Sequence, residues 1–248
     1  MASALVTGAT SGIGRATALA LGDAGWWVLA SGTNLAEGEK VASELEHRSG
    51  GSFIGGDLTD PETRRQLVQA IVDGTGTVDL LVNNAGIHFR AGVEELDLER
   101  YDRLLELNLR VPVAMTKLAL EVMLAQGSGV IINIASEAGL VAVPGQVAYN
   151  ISKAGLIMLT RSITADYASR GIRAVSICPG TTRTPLVDEA IASAPDPEAH
   201  ERTLASSRPA QRLGKPEEIA AAVVFAASDG ASYLNGTELV IDGGYTVV

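Results

Sequence analysis

The sequence has one cysteine, Cys178, among 248 residues. No disulfide can form within the chain, the usage of a reducing compartment, so a cytoplasmic location is expected. Cys178 closes the apolar run 174–178, which reads as a buried strand. A free cysteine there behaves as a small hydrophobe rather than a nucleophile. With three histidines and that single cysteine, no metal site is expected. Basic residues are outnumbered, 19 Lys and Arg against 29 Asp and Glu, for a net charge of −10. Such a chain has no general attraction to nucleic-acid phosphates or anionic membranes, so neither is expected as a partner. Long hydrophobic runs are also missing. The most apolar stretch, 219–227, is too short to cross a bilayer. No charged segment followed by a long apolar run opens the chain, so no secretory leader is expected. Low-complexity tracts and Pro-rich linkers are absent, and 1–248 reads as a single domain.

What the chain does contain is alternation. Apolar residues make up 46% of it, enough for a sizeable core. Strand-type runs at 4–7, 27–30, 52–55, 78–82, 129–135, 173–178 and 238–241 alternate with helix-type stretches at 12–24, 35–48, 61–72, 98–109, 111–126, 148–169 and 216–227. Several of the short runs are apolar at consecutive positions, as in strands covered on both faces. The expectation is an α/β fold: a Rossmann-type, doubly wound parallel sheet of about seven strands with helices on both faces. Ligands of such sheets bind beyond the carboxyl ends of the strands, where the strand order reverses.

The first strand-to-helix turn is Thr7-Gly8-Ala9-Thr10-Ser11-Gly12-Ile13-Gly14. Glycines there allow positive φ and close approach of the backbone to a ligand. The helix that follows offers free N–H groups and a positive dipole end to a pyrophosphate. The spacing is T-G-x-x-x-G-x-G, and it resembles the fingerprint of the short-chain dehydrogenase/reductase family. Asn83-Asn84-Ala85-Gly86, after the fourth strand, is similar to the family's N-N-A-G motif, whose residues support the sheet and line the cofactor wall. The resemblance extends over nearly the whole chain.

Tyr149 and Lys153 are four apart and share one face of a helix. A free phenol has a pKa of about 10, and a nearby ammonium lowers it toward the range useful for acid–base catalysis. With Ser136 at the end of the fifth strand, the pair resembles the family's catalytic set, and Asn108 matches its fourth member. The resemblance implies these roles. Tyr149 exchanges a proton with the substrate oxygen, and Ser136 steadies that oxygen. Lys153 holds the nicotinamide ribose and depresses the Tyr149 pKa. Asn108 holds a water that links Lys153 to solvent. Pro179-Gly180 matches the family's P-G motif, and Thr181, Thr182 and Thr184 are implied to flank the nicotinamide and phosphates. Asp57, followed by Leu58, matches the residue that meets the adenine amino group. Asp242-Gly243-Gly244 reads as structural.

The cofactor is expected to be NAD(P)(H). Its usual selectors are missing: Gly32 stands where an acid selects NAD, Thr33 where an arginine often selects NADP, and Ser11 at a second basic position. With no acid to repel a phosphate, and with Ser31, Thr33 and Asn34 able to hydrogen-bond one, the reading leans to NADP. A substrate lid is expected over 181–215, broken by the turn-rich segment 194–198. Its arginines (Arg183, Arg202, Arg208 and Arg212) read individually as solvated loop charge; together with His88 and Arg90 they permit an acidic substrate tail. At the positions where hydroxy-acid enzymes of the family place an arginine, Ala190 and Ser207 stand instead, so 3-oxoacyl thioesters are an equal candidate. The activity implied is interconversion of a secondary alcohol and a ketone, with a small-molecule carbonyl or alcohol as the partner. The rival is a catalytically silent dinucleotide sensor or scaffold, which would be expected to lose one of the four catalytic residues. The helix over 154–159 is apolar almost all round, and the family commonly forms tetramers through this helix and through the last helix and strand, so a homotetramer, or a homodimer, is expected.

Overall fold

A computed structural model describes residues 1–248. Seven strands form one sheet: β1 (Ser3–Val6), β2 (Trp27–Gly32), β3 (Gly51–Gly55), β4 (Leu80–Asn83), β5 (Gly129–Ile134), β6 (Ile172–Pro179) and β7 (Thr237–Ile241). Their order is β3-β2-β1-β4-β5-β6-β7, and every neighbouring pair is parallel. The order reverses at β1, which lies between β2 and β4. A crevice therefore opens beyond the carboxyl ends of these strands.

Alternate strand residues feed two cores. Val6, Val28, Val82, Ile132 and Ile177 face α1 (Gly12–Asp23), α2 (Leu35–Glu46) and α9 (Pro216–Ala227). Leu5, Leu29, Leu81, Ile131 and Ala174 face α3 (Pro61–Thr75), α5 (Val111–Gln126) and α6 (Val147–Tyr167). The remaining helices are α4 (Leu98–Leu105) and two in the segment expected to be a lid, α7 (Pro185–Ala192) and α8 (Pro197–Ser206).

Two expectations need correction. The helix over 98–109 does not run through at one pitch, because Glu106–Arg110 form a π turn between α4 and α5. The regular helical donor to the Asn108 carbonyl would be residue 112. That residue is Pro112, which has no N–H, so the ladder is interrupted there. The turn-rich break expected at 194–198 is narrower: α8 already begins at Pro197, and only 193–196 separates the two helices. Thr184 and Asp196 cap them, accepting from the N–H groups of Val187 and Ala199, and Pro185 and Pro197 fill their first turns.

A buried polar chain crosses the centre of the sheet. The Asn83 amide donates to Asn133 Oδ1 (2.9 Å) and to Thr116 Oγ1 (3.3 Å). The Asn133 amide donates to Thr160 Oγ1 at 2.8 Å, and the Ser176 hydroxyl meets the same Thr160 oxygen at 2.8 Å. Asn133→Leu removes two of these bonds and leaves the Asn83 and Thr160 groups short of partners inside a dry layer. We expect it to lower stability by about 2–4 kcal/mol, since each buried group left unsatisfied costs roughly 1–3 kcal/mol. Urea unfolding should show an earlier midpoint with an unchanged slope.

Candidate active site

The Gly-rich turn after β1 is built for an anion. Gly8 and Gly12 adopt positive φ, at 64° and 50°. Ser11 stands at the N-cap of α1 but makes no side-chain cap bond, so the first amides of the helix keep their hydrogen-bonding capacity. Ile13 follows Gly12 in that first turn, half-buried against the first core. Gly14 is buried, and a Cβ on it would run into the Gly8 carbonyl oxygen and the Asn84 amide. The Asn84 amide itself donates to the Thr7 and Gly8 carbonyls. The Thr7 hydroxyl accepts from the N–H groups of Asn84 and Ala85. These bonds join the turn after β1 to the turn after β4 across the point where the sheet reverses. Thr184 completes the turn from the lid side: its methyl lies 3.0 Å from where a Cβ on Gly12 would stand.

Beyond β2, Gly32 is covered by Thr10. A Cβ on Gly32 would stand 2.6 Å from the Thr10 methyl, so an acidic side chain does not fit there unless Thr10 moves. Ser31, expected to reach a ribose phosphate, is fully buried, and its hydroxyl has no partner. The Asn34 Oδ1 caps α2 by accepting from Glu37, which leaves Thr33 and the Asn34 amide exposed at the rim. Asp57 is exposed and held below the usual carboxylate range by the Thr59 N–H. The Leu58 side chain belongs to the second core, so only its backbone faces the crevice edge. Arg64 fixes that backbone by donating to the Leu58 and Thr59 carbonyls.

The four catalytic candidates converge beyond β4 and β5. Ser136 follows β5 in extended backbone, and its Oγ accepts from the Ala138 N–H at 3.1 Å. Lys153, on α6, is buried and donates to the Ile134 carbonyl at 2.8 Å. Its Nζ lies 5.4 Å from the centre of the Tyr149 ring. An ammonium carries three donors, and only one is engaged within the chain. Asn108 is fully buried: its Oδ1 accepts from the Ile87 N–H and its amide donates to the Ile87 carbonyl, both at 2.8 Å. The carboxamide is thus committed to the strand-end loop, and a Cβ on Gly86 would stand 3.1 Å from its Oδ1. His88 packs edge-on against the Tyr149 ring, centroids 4.9 Å apart, and burial lowers its pKa.

The electrostatics differ from the expected pairing. Burial pushes the Tyr149 phenol up to about 12; the Ser136 hydroxyl opposes this and the Glu137 charge adds to it. Burial pulls Lys153 down to about 8. In the chain alone, desolvation outweighs any depression of Tyr149 by Lys153. Cys178 is buried, and burial pushes its thiol up to about 12, so it is no nucleophile.

After β6, the Pro179-Gly180 turn packs against Asp242, and the Thr182 hydroxyl donates to the Gly180 carbonyl at 2.9 Å. The lid arginines are already paired: Arg183 with Asp188 and Glu201, Arg202 with Glu198, Arg212 with Glu218. Arg90 donates to the Pro144 carbonyl. Of these, only Arg90 has no carboxylate partner. Arg208, expected as solvated charge, is instead buried against Glu137. Its partner is 71 positions away, and no local signal marks the pairing.

The chain is similar to known proteins over almost its whole length. Residues 8–246 match a family model described as enoyl-(acyl carrier protein) reductase. The chain is 40% identical to a cis-4-hydroxycyclohexanecarboxylate dehydrogenase of Sinomonas cyclohexanicum, over 99% of this chain and 96% of that one. It is 34% identical to a 3-oxoacyl-[acyl-carrier-protein] reductase of Thermotoga maritima, over 98% and 97% of the two chains. A solved structure of a short chain dehydrogenase/reductase family protein superposes with a TM-score of 0.88 at 35% identity, covering 100% of this chain and 98% of that one.

Proposed function

The chain belongs to the short-chain dehydrogenase/reductase family, and on that footing we propose that it interconverts a secondary alcohol and a ketone, with Tyr149 as general acid/base. The observation that carries this reading is the convergence of Ser136, Tyr149 and a buried Lys153 beyond the strand ends, beside a glycine turn with an uncapped helix N-terminus.

Those residues fit a nicotinamide dinucleotide. Gly8, Thr10, Ser11, Gly12, Ile13 and Gly14 would take its pyrophosphate, Thr33 and Asn34 the far ribose, and Asp57 and Leu58 the adenine edge. Asn84, Ala85, Gly86, Pro179, Gly180, Thr182 and Thr184 would line the path to the nicotinamide, and the two unengaged donors of Lys153 would hold its ribose. When bound, the dinucleotide supplies the hydride donor or acceptor.

The chain's own residues handle the proton. A phenol with a pKa near 12 stays protonated at neutral pH, which suits it to protonate a ketone oxygen as that oxygen gains charge. Ser136, whose Oγ accepts from Ala138, has its own hydrogen to donate to the same oxygen. Lys153 is anchored to the end of β5 and stands beside the Tyr149 ring. Asn108 fixes the Ile87 loop through its side chain, and its carbonyl, deprived of a helical donor at Pro112, is the group suited to hold a relay water. Ketone reduction should therefore hold its rate through neutral pH, where the phenol stays protonated. Alcohol oxidation should rise with pH over the same range.

NADP is favoured over NAD because no acid stands at Gly32, and the exposed Thr33 and Asn34 offer neutral donors there. Small ketones and 3-oxoacyl thioesters are favoured over free acids, because the lid arginines are paired. Assembly through α6 is supported by Ile151 and Met158, which remain 45% and 56% exposed in the single chain. Parallel fluorescence titration with NADPH and NADH, followed by ketone and 3-oxoacyl panels, tests the reading. Tighter NADPH binding with ketone-dependent loss of its absorbance is the expected result. Binding of neither dinucleotide would overturn it.

A further inference from the structure

Glu137, the residue after Ser136, has no part in the proton chemistry above, yet it is buried in an ion pair with the lid. Its Oε1 lies 3.2 Å from Arg208 Nη2. The same Arg208 nitrogen donates to Thr181 Oγ1 at 2.9 Å, just after the Pro179-Gly180 turn. Arg208 Nη1 donates to the Leu204 carbonyl in the last turn of α8. The guanidinium carbon also lies 5.4 Å from the centre of the Tyr245 ring, near the C-terminus. One side chain thus touches the Ser136 turn, the segment after β6, the lid helix and the chain end. Glu137 Oε2 and Arg208 Nε are buried without partners, so the pair is not fully satisfied. A cavity of about 70 Å³ borders Arg208, Thr181 and Asp242 and leaves room for movement there.

We propose that Glu137 and Arg208 are positioning residues, a joint that docks the C-terminal end of the lid onto the turn carrying Ser136, so that lid closure and Ser136 placement are one event. The catalytic consequence rests on the function proposed above; the coupling of the two segments does not. A planar guanidinium with five donors suits this post, since an ammonium could not reach three acceptors in fixed directions. Removing Arg208 leaves the buried Glu137 charge uncompensated.

The charges facing Glu137 set its pH response. They are Arg208 from the lid, Asp242 from the turn after β7, and the Tyr149 phenol from α6. Burial, aided by Asp242, pushes Glu137 up to about 7 against the pull of Arg208. With the lid undocked, the carboxyl returns to water and toward its ordinary, lower value. The docked state therefore binds the proton more tightly and weakens as the pH rises through about 7.

Hydrogen exchange on the full chain, corrected for intrinsic rates, tests this at about pH 6 and about pH 8, where linkage gives a difference of about tenfold. In the wild type, exchange in 197–213 should rise by that factor at the higher pH. In Glu137→Gln, an isosteric change that cannot titrate, the rise should be less than about threefold. Arg208→Gln should loosen 197–213 and 134–140 together, by about tenfold or more, while dinucleotide affinity stays within about threefold. Where a substrate is turned over, its kcat/KM should fall on the order of a hundredfold. An equal pH response in the wild type and Glu137→Gln would overturn the joint, as would an Arg208→Gln that loosens the lid but leaves 134–140 protected. If Arg208→Gln does not fold, the Glu137→Gln comparison decides alone. Coupled exchange with no turnover on any alcohol or ketone would defeat the proposed function but leave the joint standing.

Discussion

Tyr149→Phe should reduce turnover by about a thousandfold while leaving dinucleotide binding within about threefold of the wild type. The substitution removes one oxygen and keeps the ring that packs edge-on against His88 and lies near Lys153. What is lost is the only phenol beside Ser136 and the proton it exchanges. Positioned acid–base groups contribute roughly 10²–10⁴-fold. Steady-state rates beside a dinucleotide titration check both halves of this expectation. A loss of affinity as large as the loss of rate would mean that Tyr149 holds the cofactor rather than the proton.

Gly14→Ala should weaken dinucleotide binding by about a hundredfold or more and destabilise the fold by about 3 kcal/mol. The added methyl meets the Gly8 carbonyl oxygen and the Asn84 amide, which are the two ends of the bridge between the turns after β1 and β4. A clash with backbone cannot be relieved by a rotamer change, and overpacking of this kind costs about 1–3 kcal/mol or more. The helix N-terminus must then shift from the position where its amides face the crevice. Calorimetric binding and thermal unfolding measure the two effects separately. Gly12→Ala is the useful contrast: its Cβ would meet the Thr184 side chain, which can move, although its positive φ still carries strain.

The central sheet was legible because parallel strands covered on both faces are nearly continuous apolar runs, as in Ala4-Leu5-Val6 and Ile131-Ile132. The phosphate turn and the Tyr149–Lys153 pair were legible because their chemistry depends on short spacings. The two lid helices escaped notice although Thr184-Pro185 and Asp196-Pro197 are cap-and-first-turn signatures; Pro195 beside Pro197 made the whole stretch resemble a turn. Pro112 carried the signal for the π turn, four residues after Asn108, but only by way of the missing N–H. The Glu137–Arg208 pair was beyond reach, because it is made by tertiary packing alone. So was the direction of the Tyr149 shift: the sequence shows the ammonium nearby, whereas burial, the larger effect, is a property of the assembled crevice.

These particulars fit one physical picture. The sheet's reversal at β1 opens a crevice, glycines let backbone amides line it, and side chains at the ends of β5 and α6 bring a donor, an acid and a cation to one place. The segment 181–215 packs beside the ends of β6 and β7. The most direct test is isotope transfer. The chain is incubated with oxidised dinucleotide and secondary alcohols carrying deuterium on the carbinol carbon, and the dinucleotide is examined by mass spectrometry. Deuterium in the dinucleotide from the wild type, and almost none from Tyr149→Phe, is the result expected of this site. Tight dinucleotide binding with no deuterium gained from any alcohol, and none returned to any ketone in the reverse reaction, would contradict it.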